Sequence, residues 1–246
     1  MAKSWLVTGA ASGIGAAVVR MAAARGDSVI ALDVNDSEGQ ALAADTGATY
    51  MHCDVSSQDA WDQVAATIQA PLDYVHLNAG IQIAPPNAPL SEYRFEAMQL
   101  DRYRRMMGVN VDGVVFGLQA LLPHIQPGGA VTVTASLAGV VPYDVDPLYS
   151  MSKHAVVGLV RSMGKPLAER DIRINALCPG GIDTAIIPEA QRVASAVFMT
   201  PEQVAIEVLY IMETEETGKT WAKVREDKPV FIIRAPGDSP PKKDGE

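Results

Sequence analysis

Tyr149 and Lys153 lie four residues apart in the segment Tyr149-Ser150-Met151-Ser152-Lys153. On an α-helix that spacing puts both side chains on one face. An ammonium beside a phenol favours the phenolate and lowers a pKa that starts near ~10. A tyrosine tuned in this way exchanges a proton with an alcohol or a ketone near neutral pH. The pair alone is weak evidence, because Tyr-x-x-x-Lys arises readily by chance, so its chemistry depends on partners. Ser136, just past a predicted strand, offers a hydroxyl to hold a substrate oxygen beside Tyr149. Asn110 falls in the middle of a helical pattern, where an amide is a poor helix former and more often serves hydrogen bonding. Read from the residues alone, Ser136 remains equally open as a loop hydroxyl and Asn110 as a buried structural amide.

A second cluster sits at the start of the chain. Thr8-Gly9-Ala10-Ala11-Ser12-Gly13-Ile14-Gly15 follows one predicted strand and opens a predicted helix. Gly9 suits a tight turn, Gly13 lets backbone approach a pyrophosphate, and Gly15 allows close packing. The helix N-terminus then presents free N–H groups and partial positive charge to a dinucleotide. Asp33 ends the second predicted strand, where a carboxylate accepts hydrogen bonds from an adenosine ribose and repels a 2′-phosphate. No Arg or Lys occupies Ala10, Ala11, Ser12 or Val34 to neutralise that phosphate. The expected cofactor is therefore NAD(H) rather than NADP(H). Asp54-Val55 and Asn78-Ala79-Gly80 follow the third and fourth strands and should line the adenine and ribose side, although Asp54 is equally suited to cap a helix near Ser57. No metal-ligand set is assigned.

The elements that must position these groups alternate between β-rich runs and helical patterns, as in parallel βαβ units. The predicted strands are Trp5–Thr8, Ser28–Asp33, Thr49–Cys53, Tyr74–Leu77, Ala130–Thr134 and Arg173–Leu177. Several are apolar without alternation, as strands covered on both faces are. Ile14, Val18 and Met21 mark one helical face, and Trp61, Val64 and Ile68 another. One long helix is expected from Asp101, as N-cap, to Leu122, and another from Leu148 to Ala168. The fold class is α/β: a doubly wound parallel sheet of about seven strands with helices on both faces. It should form one domain over residues 1–234, with 235–246 a loose tail.

The chain has 246 residues, 48% of them hydrophobic and 20% charged, an ordinary globular balance with room for one sizeable core. Its net charge of −9 speaks against nucleic acid as the main partner. The Arg102/Arg104/Arg105 cluster reads as a solvated helix face or subunit contact rather than an anion site. Cys53 and Cys178 are the two cysteines, each in an apolar run, which suggests buried thiols in a reducing compartment. With no membrane span or signal peptide expected, the location expected is cytoplasmic.

Taken together, the segments resemble a short-chain dehydrogenase/reductase over nearly the whole chain. The matching stretches are Thr8–Gly15, Asp54-Val55, Asn78-Ala79-Gly80, Val109-Asn110-Val111, Ser136, Tyr149/Lys153 and Pro179-Gly180. Their order and spacing are far more specific than any one of them. The resemblance implies a catalytic tetrad of Asn110, Ser136, Tyr149 and Lys153. Tyr149 would be the general acid/base and Ser136 would orient the substrate oxygen. Lys153 would lower the Tyr149 pKa and hold the nicotinamide ribose, and Asn110 would hold a water of a proton relay. It also implies that Pro179, Gly180, Ile182 and Thr184 clasp the nicotinamide and pyrophosphate, and that the stretch from Thr184 to Thr200 forms a lid.

That stretch is short and apolar here, and Leu137, Val141, Tyr143, Ile186 and Trp221 are candidate pocket walls. These point to a hydrophobic secondary alcohol or ketone as substrate. Alternatives are an enoyl or imine reductase, or a non-catalytic NAD-sensing protein on the same scaffold. At the C-terminus, Gly218–Arg225 and Pro229–Arg234 read as two strands around the turn Glu226-Asp227-Lys228. This layout is similar to 15-hydroxyprostaglandin dehydrogenase-like members. A homodimer through the 101–122 and 148–168 helices is expected, with a homotetramer as the alternative.

Overall fold

The computed structural model describes residues 2–193 and 197–235. One eight-stranded sheet organises them. Its strands are β1 (Ser4–Thr8), β2 (Ser28–Asp33), β3 (Thr49–His52), β4 (Leu72–Leu77), β5 (Ile125–Thr134), β6 (Arg173–Pro179), β7 (Thr220–Lys223) and β8 (Phe231–Ile233). Their order is β3-β2-β1-β4-β5-β6-β7-β8. The first seven run parallel and β8 pairs antiparallel with β7. The order reverses between β1 and β4, the topological switch point outside which ligands bind in open α/β sheets.

Helices cover both faces. Helices α1 (Gly13–Ala24) and α7 (Pro201–Glu213) pack on one, together with Trp5, Val7, Tyr74 and Trp221. Helices α3 (Gln58–Thr67), α5 (Gly113–Leu121) and α6 (Pro147–Ala168) pack on the other, over Leu6, Val75, Val131 and Ile174. Helix α2 (Asp36–Thr46) lies beside β2 and β3. The apolar faces expected at Ile14/Val18 and Trp61/Val64 are buried. Among the described residues no helix is long and apolar enough to cross a membrane.

Two elements differ from the sequence expectation for physical reasons. The strand expected from Ala130 begins at Ile125, because the Pro127-Gly128-Gly129 stretch is carried as an irregularity in the pairing with β4 instead of ending it. The single helix expected over 101–122 is α4 (Leu100–Met107) and α5, joined by a π-helical turn over Gly108–Asp112. Gln99 is the N-cap and Asp101 lies in the first turn, where a carboxylate suits the helix dipole.

The Tyr–Lys helix, α6, starts at Pro147. Pro at the first position costs no hydrogen bond, and the Asp146 carboxylate accepts from the Tyr149 N–H at 2.9 Å. The C-terminal pair forms the expected hairpin. Lys223, nearly buried, bonds Glu207 of α7 at 2.7 Å and the Lys228 carbonyl at 2.8 Å, tying the hairpin to the body. The tail from residue 236 onward lies outside the described residues.

Candidate active site

A cavity of about 800 Å³ opens at the carboxyl ends of the central strands. Its floor on one side is the glycine turn. Gly9 has φ +62°, and a Cβ there would lie 2.9 Å from the Ala79 backbone. A Cβ on Gly15 would lie 2.1 Å from the Gly9 carbonyl, so Gly15 serves packing and does not line the cavity. Gly9, Ser12, Gly13 and Ile14 do line it. The N-terminus of α1 has no side-chain cap and no acidic residue in its first turn. Its free N–H groups and partial charge therefore suit the diphosphate of a dinucleotide.

Asp33 lines the same cavity and is held by two backbone N–H groups, from Ala11 at 2.9 Å and Asn35 at 3.0 Å. Asn78, Ala79 and Gly80 line it next. The Asn78 amide donates to the Thr8 and Gly9 carbonyls, tying β4 to the turn. On the far wall Pro179, Gly180, Ile182 and Thr184 are present as expected. Asp54 and Val55 are not brought to the cavity. Val55 is buried against Gly113, whose missing side chain lets it approach, and Asp54 accepts from the N–H and hydroxyl of Ser56. Nor does Asp54 cap α3, since Ser57 does.

Tyr149, Ser136 and Lys153 all line the cavity. The Lys153 ammonium is buried and donates to the Thr134 carbonyl at 2.9 Å, with its Nζ 5.7 Å from the Tyr149 ring centre. Burial pushes the Lys153 amine down to about 8. Burial also pushes the Tyr149 phenol well above its ordinary value, opposed by its hydrogen bond to Ser136. Desolvation dominates, and the lysine is turned to a carbonyl.

Asn110 sits in the π-helical turn, a local distortion common at functional sites. Its amide is fully used: Oδ1 accepts from the Ile81 N–H at 2.8 Å, and Nδ2 donates to the Ile81 carbonyl and the Ser152 hydroxyl. It does not line the cavity, but it reaches close to Lys153. A Cβ on Gly80 would lie 3.1 Å from Lys153 Nζ and 3.5 Å from Asn110 Oδ1.

The remaining walls are mostly apolar. Leu137, Val141, Tyr143 and Ile186 line the cavity as expected. Trp221 does not. It is buried on the opposite face of the sheet, edge-on to Tyr210 of α7 at 5.9 Å. Between Thr184 and Thr200, Ala185, Ile186, Ile187 and Phe198 face the cavity, whereas Val193 and Val197 are exposed and Met199 joins the core. Arg102 and Arg105 also line the cavity, so the basic cluster is not simply a solvated face; Arg102 is paired with Glu92 at 2.6 Å.

Sequence reasoning missed Gln82, Gln191, Thr134 and Asp146. Only Asp146-Pro147 carried a legible signal, as a cap followed by a first-turn proline.

A profile of the short chain dehydrogenase family matches residues 3–193. The chain belongs to that family. Among curated short-chain dehydrogenase relatives, it is 38% identical over 196 residues to a 2,5-dichloro-2,5-cyclohexadiene-1,4-diol dehydrogenase of Sphingobium indicum, covering 76% of each chain. It is 35% identical over 193 residues to a 3beta-hydroxysteroid dehydrogenase of Mediterraneibacter gnavus, covering 75% of this chain and 67% of that one. A solved dehydrogenase/reductase from Sinorhizobium meliloti 1021 superposes with a TM-score of 0.80 at 26% identity, covering 91% of this chain and 94% of its own. The fold is the expected one, an α/β doubly wound sheet with helices on both faces.

Proposed function

We propose that the protein is an NAD(H)-dependent dehydrogenase/reductase that interconverts a hydrophobic secondary alcohol and its ketone. The observation that carries this reading is the meeting of Tyr149 and Ser136 in one wall of a cavity whose floor is the α1 glycine turn. The nicotinamide, when bound, supplies the hydride chemistry at the substrate carbon. The Tyr149 oxygen takes the hydroxyl proton in oxidation and returns it in reduction. Ser136 holds the substrate oxygen against Tyr149 and stabilises charge that develops there. Lys153 secures the nicotinamide ribose, and Asn110 fixes the loop at Ile81 beside it. Asp33 takes the adenosine ribose and disfavours a 2′-phosphate, which supports NAD(H). The apolar walls, and relatives whose names specify ring alcohols, support a carbocyclic substrate.

A homodimer through α4, α5 and α6 is part of this reading. It is supported by exposed Val115 and Met151 on those helices, and by β8 covering the edge of β7. Light scattering should give the mass of two chains; the mass of four overturns it. The activity is tested by NADH fluorescence with NAD⁺ and secondary alcohols from cyclic to long-chain, and with NADH and the matching ketones. Turnover of ring alcohols is expected. A flat response across both panels rejects the reaction.

A further inference from the structure

The apolar cavity has one polar corner, built from three separate segments. Gln82 comes from the loop after β4, Tyr143 from the loop after β5, and Gln191 from the segment after β6. The Tyr143 hydroxyl lies 3.0–3.1 Å from both ends of the Gln191 amide. The Gln82 amide neighbours Tyr143 and, after Gln191, opposes the rise in its pKa that burial causes. Gln82 Nε2 donates to the Ile186 carbonyl at 3.0 Å. Gln82 is 9% exposed, and its Oε1 is buried with no partner among the described residues. An acceptor buried without a donor is costly, and such groups in native proteins call for a partner or a function. All three side chains line the cavity. The Tyr143 ring is edge-on to Tyr149 with centres 6.2 Å apart, so the corner adjoins the reacting group.

We infer that this corner binds a second oxygen of the substrate, so that the substrate is a diol, hydroxyketone or comparably oxygenated ring and not a plain hydrocarbon alcohol. Gln82 Oε1, which solvent does not reach, accepts from a substrate hydroxyl after a small turn of its side chain, while the Tyr143 hydroxyl, paired with the Gln191 amide, serves either a hydroxyl or a carbonyl oxygen. A site with buried hydrogen-bonding groups discriminates strongly against an analogue that lacks the matching oxygen, because its own polar groups are then left unpaired. An apolar pocket cannot discriminate in this way. The inference rests on the alcohol/ketone reading above and names the kind of alcohol.

The test compares cyclohexanol with cyclohexane-1,4-diol, and 5α-androstan-3β-ol with its 17-keto counterpart, so that two spans between oxygens are sampled. In the wild type the doubly oxygenated member of at least one pair should have a kcat/KM at least tenfold higher. Gln82→Met keeps the side-chain volume, and in it that ratio should fall to near one. Tyr143→Phe should lower it by a smaller factor. Equal wild-type values within both pairs overturn the inference. So does a Gln82→Met variant that slows both members of a pair by the same factor, since that is the mark of Gln82 acting only as a tie to Ile186.

Calorimetric binding of 4-hydroxycyclohexanone and cyclohexanone to the NADH complex separates this inference from the reaction itself. Tighter binding of the hydroxyketone, lost in Gln82→Met, upholds the corner even if no alcohol is turned over. Equal binding rejects the corner even if alcohols are oxidised.

Discussion

The two sides of the cavity are built on different physical principles. The cofactor side is made largely of backbone: a left-handed Gly9, the free N–H groups of α1, and an Asp33 held by the Ala11 and Asn35 N–H groups. The substrate side is made of side chains on loops, where Gln82, Tyr143, Ile186 and Gln191 meet only because the chain folds back through three separate turns. Backbone cradles demand particular residues at fixed spacings, so they leave a signature. Side-chain corners demand only that convergent positions be compatible, and many residue types satisfy that. The same contrast separates what the site does to every substrate from how it chooses one.

Removing the Tyr149 hydroxyl should break the chemistry and leave the cofactor side intact. Tyr149→Phe is expected to lower kcat by about 10³-fold or more, within the range for losing a general acid/base, while the NADH affinity read by fluorescence changes little. Retained turnover rejects the role of Tyr149. The sign of the pH dependence follows from the same group. Burial holds the phenol protonated, so oxidation, which needs an acceptor, should rise from pH 6 to 9, while reduction, whose donor stays protonated across that range, should change little. Initial rates in both directions check this; an oxidation rate that falls with rising pH contradicts it.

The next change acts on the cofactor side alone. In Gly9→Ala the new Cβ meets the Ala79 backbone at 2.9 Å at a positive φ, a strain on the order of 1–3 kcal/mol. If the turn relaxes by moving the α1 N-terminus, NADH should bind about tenfold to a hundredfold more weakly. The substrate preference measured at saturating NAD⁺ should not move. A shift in that preference would show that the two sides are not separable. Asp33→Asn is milder. It keeps the side-chain shape but removes the charge that opposes a 2′-phosphate, and its NH2 takes the place of one of the two oxygens that accept backbone N–H groups. The ratio of kcat/KM for NAD⁺ over NADP⁺ should fall by roughly tenfold, about 1.4 kcal/mol. An unchanged ratio would leave the preference to other residues, with Arg102 and Arg105, which line the same cavity, the first to examine.

This contrast explains what was legible in the sequence. The strands, the helices on both faces of the sheet and the β7–β8 hairpin follow from apolar runs and turn chemistry, and the glycine turn follows from its spacing. Asp54-Val55 and Trp221 do not line the cavity, because the place of each depends on a contact distant in sequence. Gly113 admits Val55, and α7 covers Trp221 on the far face. The split of the 101–122 helix at Asn110 carries no local breaker strong enough to announce it, since the amide is held by Ile81 some thirty residues earlier. The polarity of the substrate corner was invisible for the same reason: Gln82 and Gln191 are unremarkable until folding brings both to Tyr143.

Thr134 joins the two sides, and its removal should give the smallest effect on rate. Its carbonyl accepts from Lys153 at 2.9 Å, and its hydroxyl donates to Asn78 Oδ1 at 3.1 Å. That hydroxyl proton is committed to Asn78, so His76 must donate from Nε2 at 2.8 Å, leaving its buried Nδ1 unprotonated and unpartnered among the described residues. Burial lowers the His76 pKa to about 3, so the imidazole stays neutral through the physiological range. Thr134→Val keeps shape and the backbone carbonyl but strips a partner from both His76 and Asn78. Leaving buried polar groups unsatisfied costs about 1–3 kcal/mol, which for a chain of this size lowers Tm by about 2–4 °C per kcal/mol. Lys153 keeps its acceptor, so kcat should drop only a few-fold. NADH affinity should weaken by a similar factor, because Asn78 also holds the Gly9 carbonyl. A loss of stability without any change in NADH affinity would show that the glycine turn holds its shape independently of the catalytic strand.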